Sequence, residues 1–466
     1  MKKIPQSNSE VTQFKSTADQ PSGLHRTLNF RDLVVYGLLF IAPMAPVGVF
    51  GVLDIKSQGA VALVYLIATA AMALTAFSYA QMVQAVPRAG SVFAYANAGL
   101  GQTAGFIAGW MVSLDYLLIP AVAYLFSGIA LHALMPSISP WIFTSIAVTV
   151  TTALNLRGVK TAALVGLLVL VMEIAVLLIF IVAALIVLLK QGGAHDWLSP
   201  FTGQGSFSFK GVLSAVSVAV LSFLGFDAIA SFAEENVGGS QQVAGALLFC
   251  LGLAGLLFIV QAYLATLLMH QSAVILAAQP KPILHGGLVF YKVVEVGIGH
   301  WLKHLVALSK AIGAAFAALA AQAAGGRLLF AMARSRRLPK ILSTVDERSG
   351  VPWVALLITA VIAFLAAVAA AQSTQGLHWL VSIVDMGALS AFLLLHLSVI
   401  AWFAIRSPNN FSWWKHLLIP VLGLIVVVAI IVTASHAAQW VGLAWLTVGV
   451  VLALIIRKKI IFSTGP

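Results

Sequence analysis

Four acids, Asp115, Glu173, Asp227 and Asp385, and two lysines, Lys160 and Lys310, fall within or at the edge of long apolar runs. A charged side chain at the centre of a bilayer costs about 2.5–3.5 kcal/mol on insertion scales, so each asks for a partner or a task. The demand is sharpest at Asp227. It follows Gly225 by two residues in Ser222-Phe-Leu-Gly-Phe-Asp-Ala-Ile-Ala-Ser-Phe-Ala-Glu-Glu-Asn236, and glycine gives up helix propensity. The pair predicts a transmembrane helix broken at mid-depth. Its freed backbone groups and carboxylate would line a substrate cavity, where irregular backbone is tolerated in a membrane. Such an acid suits binding a cation or carrying a proton; the plainer alternative is that it accepts hydrogen bonds from donors the break releases.

A second interruption, Ile41-Ala-Pro-Met-Ala-Pro-Val-Gly-Val-Phe-Gly51, sits in the first apolar run, where prolines remove helix donors and glycines relax the backbone. The candidate substrate-binding set is therefore Met44, Ala45, Pro46, Val47 and Gly48 from the first break, Phe223, Leu224, Gly225, Phe226 and Asp227 from the second, and Asp115 from the third span. Met44, Phe223, Phe226 and Trp110 are cavity-wall candidates, although aromatics at helical spacing are more often packing. Asp227, Glu173 and Lys160 are the candidate ion-coupling groups. Lys160 opens the fifth span, where its ammonium either snorkels to the interface or occupies the place of a coupling cation between the first, fifth and eighth helices. Lys310, two turns into the eighth span, is expected to snorkel outward. Glu173 and Asp385 are the weaker acidic candidates, since Gly387 is the one helix breaker near either.

These residues need a membrane scaffold. Of 466 residues 61% are hydrophobic and 9% charged, and the mean hydropathy is +1.03. A soluble chain of this length could not hide that much apolar surface, so the fold class is an all-α polytopic membrane protein. Apolar runs of spanning length occupy roughly 32–53, 60–85, 102–132, 139–155, 160–189, 211–233, 244–270, 303–331, 353–371, 378–403, 414–435 and 438–457, twelve in all. The junction at Asn155-Leu-Arg-Gly-Val-Lys160 is the least certain boundary. With the N-terminus inside, nineteen of the 26 Lys and Arg residues fall on the cytoplasmic side, six fall outside, and Lys310 stays within a span. That asymmetry places both termini in the cytoplasm of an inner-membrane protein.

The net charge of +12 follows from these loops rather than from a nucleic-acid surface. Residues 1–31 read as a retained cytoplasmic tail, lacking the short apolar core of a signal peptide. Broken spans one and six point to two halves built alike, 32–189 and 190–403, followed by helices eleven and twelve at 404–457 and a tail at 458–466. The outer loop, about 271–302, reads as a structured cap or gate. Arg327 to Pro339 reads as a basic amphipathic stretch lying on anionic headgroups. One cysteine, Cys250, allows no disulfide framework. Enzyme readings find no catalytic triad, zinc spacing or phosphate loop, and no cofactor or metal is expected. Glu234 and Glu235 lie too near the interface to need a catalytic explanation.

Several segments resemble the amino acid–polyamine–organocation transporter family. Pro46-Val-Gly-Val-Phe50 is similar to that family's first-helix break and Phe223-Leu-Gly-Phe-Asp227 to its sixth-helix break. Ser78-Tyr79, Pro87 to Tyr95 and Gly105 to Trp110 resemble its second-to-third helix signature, and Arg327 to Pro339 its post-helix-eight stretch. Within the family the chain looks closest to bacterial putrescine-importer-like and amino acid permeases, through Ser222 to Glu235, Asp115-Tyr116 and Gly387 to Phe392. Gly48 stands where the putrescine subgroup carries an acid, which argues against a dicationic cargo.

The resemblance implies a leucine-transporter-like fold of two inverted five-helix repeats plus two appended helices, working by alternating access. It implies import of an amino acid or small organic amine, with a proton and membrane lipid as the other partners and a monomer as sufficient unit. A lysine at the start of helix five stands in for sodium in several family members, and Lys160 matches that place, which favours proton coupling. Exchange of a substrate for its decarboxylated product, or a non-transporting nutrient sensor, are the alternatives.

Overall fold

The computed structural model describes residues 25–135, 137–204, 207–270, 285–373, 376–434 and 436–463. Among them every long element is helical. Helix α1 (Phe30–Ile41) starts on a reciprocal cap: the Asn29 side chain accepts from the Asp32 backbone N–H, and Asp32 accepts from the Asn29 N–H. It stops at Ala42, whose φ of 57° leaves the helical region, and α2 (Pro46–Ser57) begins on a proline that needs no donor. The two halves are long and apolar enough together to cross a bilayer and are bent by 48° at residues 42–45. The cause of the bend is the Pro43–Pro46 spacing read from the sequence.

After α3 (Val61–Ala85) comes a short buried helix, α4 (Val92–Gly99), within what reads as a loop. Then follow α5 (Gln102–Leu134), α6 (Pro140–Leu156) and α7 (Val159–Gln191), and a single turn, α8 (Ser199–Thr202). The sixth run is α9 (Phe209–Ala219), a 3-10 turn over Val220–Phe223, a break at Leu224–Gly225, and a second 3-10 stretch over Phe226–Phe232. Beyond it lie α10 (Ser240–Leu268), α11 (His285–Gly297), α12 (His300–Arg334), α13 (Trp353–Ala371), α14 (Gly376–Ala401), α15 (Ile419–Thr433) and α16 (His436–Ser463).

Ten helices among the described residues are long and apolar enough to cross a bilayer, and the bent first pair makes eleven. Each of the twelve apolar runs coincides with a helix or a broken pair; the remaining one, α6, has only 17 residues. The protein is an all-helical integral membrane protein. Helices α5 and α12 form its centre and pack along one another, with α12 buried from Val306 through Ala333 on its core face. The outer shell is apolar in the opposite sense. Leu164, Leu168, Val171, Leu178 and Leu189 on α7 are all exposed, as a lipid-facing helix requires. Of the outer loop, 271–284 lies outside the described residues, and α11 occupies the rest.

Arg327 to Pro339 does not lie flat on the surface. Helix α12 continues to Arg334, and Arg327 is 1% exposed. Its Nε and Nη2 both reach the Glu235 carboxylate, Nη1 donates to the Ala323 carbonyl at 2.8 Å, and its guanidinium sits 4.2 Å over the Phe232 ring. The basic run looked interfacial because charge pattern alone cannot reveal an acid arriving from another helix. Arg334 likewise pairs with Glu234, which also accepts from the Ala89 N–H at 2.9 Å. At the same end Leu28 and Asn236 form a parallel bridge, and the Thr27 and Leu28 N–H groups donate to the Glu235 carbonyl at 3.0 Å.

Candidate substrate site

Gly225 holds a φ of +113°, where a Cβ would strike the Phe40 ring. The left-handed turn redirects the chain, so the 3-10 helix ending at Phe223 and the one beginning at Phe226 both leave backbone groups without intrahelical partners. Opposite, Pro43 and Pro46 do the same to the first span, and the Pro43 carbonyl is taken by Gln261 Nε2 at 2.9 Å. Between the two breaks lies a cavity of about 70 Å³, walled by Phe40, Ile41 and Ala42, by Ala45, by Leu221, Ser222 and Leu224, and by the α5 and α12 faces. It contacts the C-terminal ends of both interrupted half-helices.

Of the expected substrate residues, Ala45 and Leu224 line this cavity. Met44, Pro46, Val47 and Gly48 lie on the first break beside it. The Met44 sulfur accepts from Ser309 at 3.6 Å, and Gly48 faces Phe126. Phe223 packs against Tyr65 and Phe258, while Phe226 packs edge-on against Tyr79. Trp110 is elsewhere. It stacks on Trp445 with ring centroids 4.3 Å apart, and each indole N–H donates to the other residue's backbone carbonyl.

Asp227 is fully buried behind the cavity wall. Its Oδ2 accepts from the Tyr116 hydroxyl at 2.5 Å and the Tyr79 hydroxyl at 3.3 Å, and its Oδ1 accepts from the Gly225 N–H at 3.3 Å. The last bond ties the acid to the break itself, while the tyrosines come from α3 and α5. Asp115 is also fully buried, with Asp227 and Asp385 as its charged neighbours. Among the described residues neither Asp115 oxygen, nor Oδ1 of Asp385, meets a hydrogen-bond donor. Asp115, Asp227 and Asp385 thus lie close to one another.

Lys160 is the second residue of α7, and its side chain lies outside the described ones. Glu173, further along α7, is fully buried against Gly313 of α12, where a Cβ would fall on its carboxylate. Its charged neighbour is Lys310. Lys310 does not snorkel: it is 7% exposed and lines the cavity, with its ammonium 5.9 Å from the centroid of the Phe126 ring. The counter-charge on α7 and the aromatic face on α5 keep it inside. Sequence reasoning had one usable signal for it, a lysine beside the alanine-rich middle of its helix, but it could not supply the partner.

A family model described as amino acid permease matches residues 33–456. The chain is 28% identical to the low-affinity putrescine importer PlaP of Escherichia coli K12, across 94% of each chain. It is 26% identical to the branched-chain amino acid permease BcaP of Bacillus subtilis, over 92% of this chain and 93% of that one. The methylthioribose transporter of the same organism is 26% identical over 83% of each.

Proposed function

Since the chain belongs to the amino acid permease family, we propose that it imports an amino acid or small organic amine across the cytoplasmic membrane by alternating access, driven by protons. The observation that carries this reading is the cavity held between two interrupted spans. Carbonyl-rich helix ends, at Ile41 and Phe223, face it and favour the ammonium that amino acids and amines share. The similarity to a putrescine importer and to a branched-chain amino acid permease supports the same range of cargo.

Asp227 is the proton carrier in this reading. Its bond to the Gly225 N–H couples the acid's protonation to the geometry of the break. Toward the Arg327 end the route is packed by Tyr36, Phe232 and the Arg327–Glu235 pair. Release on that side requires these groups to part. Lys160 takes the place of a sodium ion, so transport follows the pH gradient. The two broken spans head two five-helix repeats, with the final helices appended.

The test is uptake of labelled amino acids and putrescine into proteoliposomes under an imposed pH gradient, with and without sodium. Uptake that tracks the proton gradient, ignores sodium and is crippled by Lys160→Ala is the expected result. Sodium dependence, or full activity of Lys160→Ala, would remove the lysine from the mechanism. Binding without any uptake would instead make the protein a receptor.

A further inference from the structure

Among the described residues, the cavity between the two breaks has a single charged lining residue. Lys310 reaches it from α12, while the other walls are Phe40, Ile41, Leu221, Phe126 and a series of alanines, with Ser222 as the remaining polar side chain. The Ser222 hydroxyl is engaged with the Tyr65 hydroxyl at 3.0 Å. No acid lines the space among the described residues: Asp227 is spent on Tyr116, Tyr79 and the Gly225 N–H, and Asp115, Glu173 and Asp385 are not among its walls. Lys310 is 7% exposed and its ammonium makes no hydrogen bond among the described residues. Buried ammonium groups are held by partners, and here the nearby Glu173 supplies charge and Phe126 a ring face, leaving donor capacity directed at the void.

The geometry points to Lys310 as the residue that receives the carboxylate of the transported molecule, so that the cargo is a small apolar amino acid and not a polyamine. The inference rests on the transport reading above and names its substrate class. An ammonium group entering the cavity finds the carbonyl ends at Ile41 and Phe223, while a carboxylate finds Lys310. A polyamine would bring a second ammonium toward a lysine with no lining acid to meet it. A void of about 70 Å³ holds about five water-sized centres, no more than the ammonium, Cα and carboxylate themselves, so a small side chain is favoured over a bulky one. Glu173 is a positioning residue: its carboxylate occupies the space left at Gly313, one turn from Lys310 on α12, and is the counter-charge nearest the ammonium.

The experiment is thermal unfolding of the full-length protein in detergent with two matched sets of probes, alanine with ethylamine and propionate, and valine with isobutylamine and isovalerate, plus putrescine. Bound ligand raises the midpoint by mass action. The amino acids should stabilise the wild type, and the amines and putrescine should not. Lys310→Met should weaken amino acid binding at least tenfold, and Lys310→Arg should retain part of it. The double variant Lys310→Met with Glu173→Gln removes the buried pair without stranding a charge. It should fold and still fail to bind; amino acid binding by it would reduce the pair to a structural one and overturn the proposal. Stabilisation by the amines or putrescine equal to that by the amino acids overturns it too, as does no shift with any amino acid. Labelled uptake of the same probes separates the two levels. Amine uptake without amino acid uptake defeats the carboxylate assignment and leaves transport standing, whereas Lys310-dependent binding without uptake defeats transport and leaves the assignment standing.

Discussion

Tyr116 donates a 2.5 Å hydrogen bond to Oδ2 of Asp227, joining the middle of α5 to the residue that follows the sixth-helix break. The same carboxyl group takes the backbone N–H of Gly225. A change in its charge therefore acts on the break and on a central helix together. In the proton-driven mechanism proposed above, Asp227→Asn keeps the shape and removes the titratable group, so it should abolish uptake driven by a pH gradient while leaving a folded protein. Tyr116→Phe should cost about 1–3 kcal/mol of stability, the range for removing one partner of a buried polar group, with uptake reduced but present. Thermal midpoints and proteoliposome fluxes read both; unaltered flux in Asp227→Asn would take the acid out of the coupling.

The two break glycines differ in what they tolerate. Gly225 sits at φ +113° with the Phe40 side chain where a Cβ would go, whereas the nearest atom to a Cβ on Gly48 is the Phe126 ring at 3.4 Å. Gly225→Ala should therefore lose about 1–3 kcal/mol through backbone strain and lose transport with it. Gly48→Ala should unfold near the wild-type temperature. Equal midpoints for the two variants would contradict the strained turn.

Arg327 and Glu235 are 1% and 2% exposed. Breaking such a pair by removing one partner costs about 3–5 kcal/mol because the other charge stays buried alone. Glu235→Gln and Arg327→Met should each lower the thermal midpoint strongly, and the double variant should recover a large part of the loss. A double variant as unstable as the sum of the singles would mean that the two residues act separately.

Glu234 predicts a pH effect. Burial works to raise its pKa, but the Arg334 hydrogen bonds and charge, the Ala89 N–H and the nearby Arg88 outweigh it, so the folded value lies below the ordinary 4.5. A depressed folded pKa stabilises the protein above the unfolded value, and that contribution disappears as pH falls through the folded one. Wild-type stability should fall below about pH 4.5, and Glu234→Gln should show a shallower fall. Glu295 and Asp346 are depressed in the same direction and remain in both proteins, so the difference between the two curves isolates Glu234. Parallel curves would show that Arg334 contributes nothing to it.

Both interruptions were legible because Pro43, Pro46 and Gly225 act on their own backbone, and a local cause leaves a local signature. The helices were legible for a similar reason: an apolar run of twenty residues in a membrane has one way to satisfy its peptide groups. What Asp227 touches was not, since Tyr79 and Tyr116 come from helices whose rotation no single run encodes. The same gap explains Lys310, whose position near a helix end fits snorkelling until Glu173 is brought across from α7. Arg327 reads as surface charge until Glu235 is placed beneath it. The short helix α4 escaped notice because eight residues carry too little periodicity to separate from a loop.

The bridge between Leu28 and Asn236 fastens the strand of chain entering the first helix to the strand leaving the sixth. Neither half-helix can swing away without hauling the other along. Whatever holds the polypeptide at Thr27 and Leu28 therefore also bears on Phe226–Phe232.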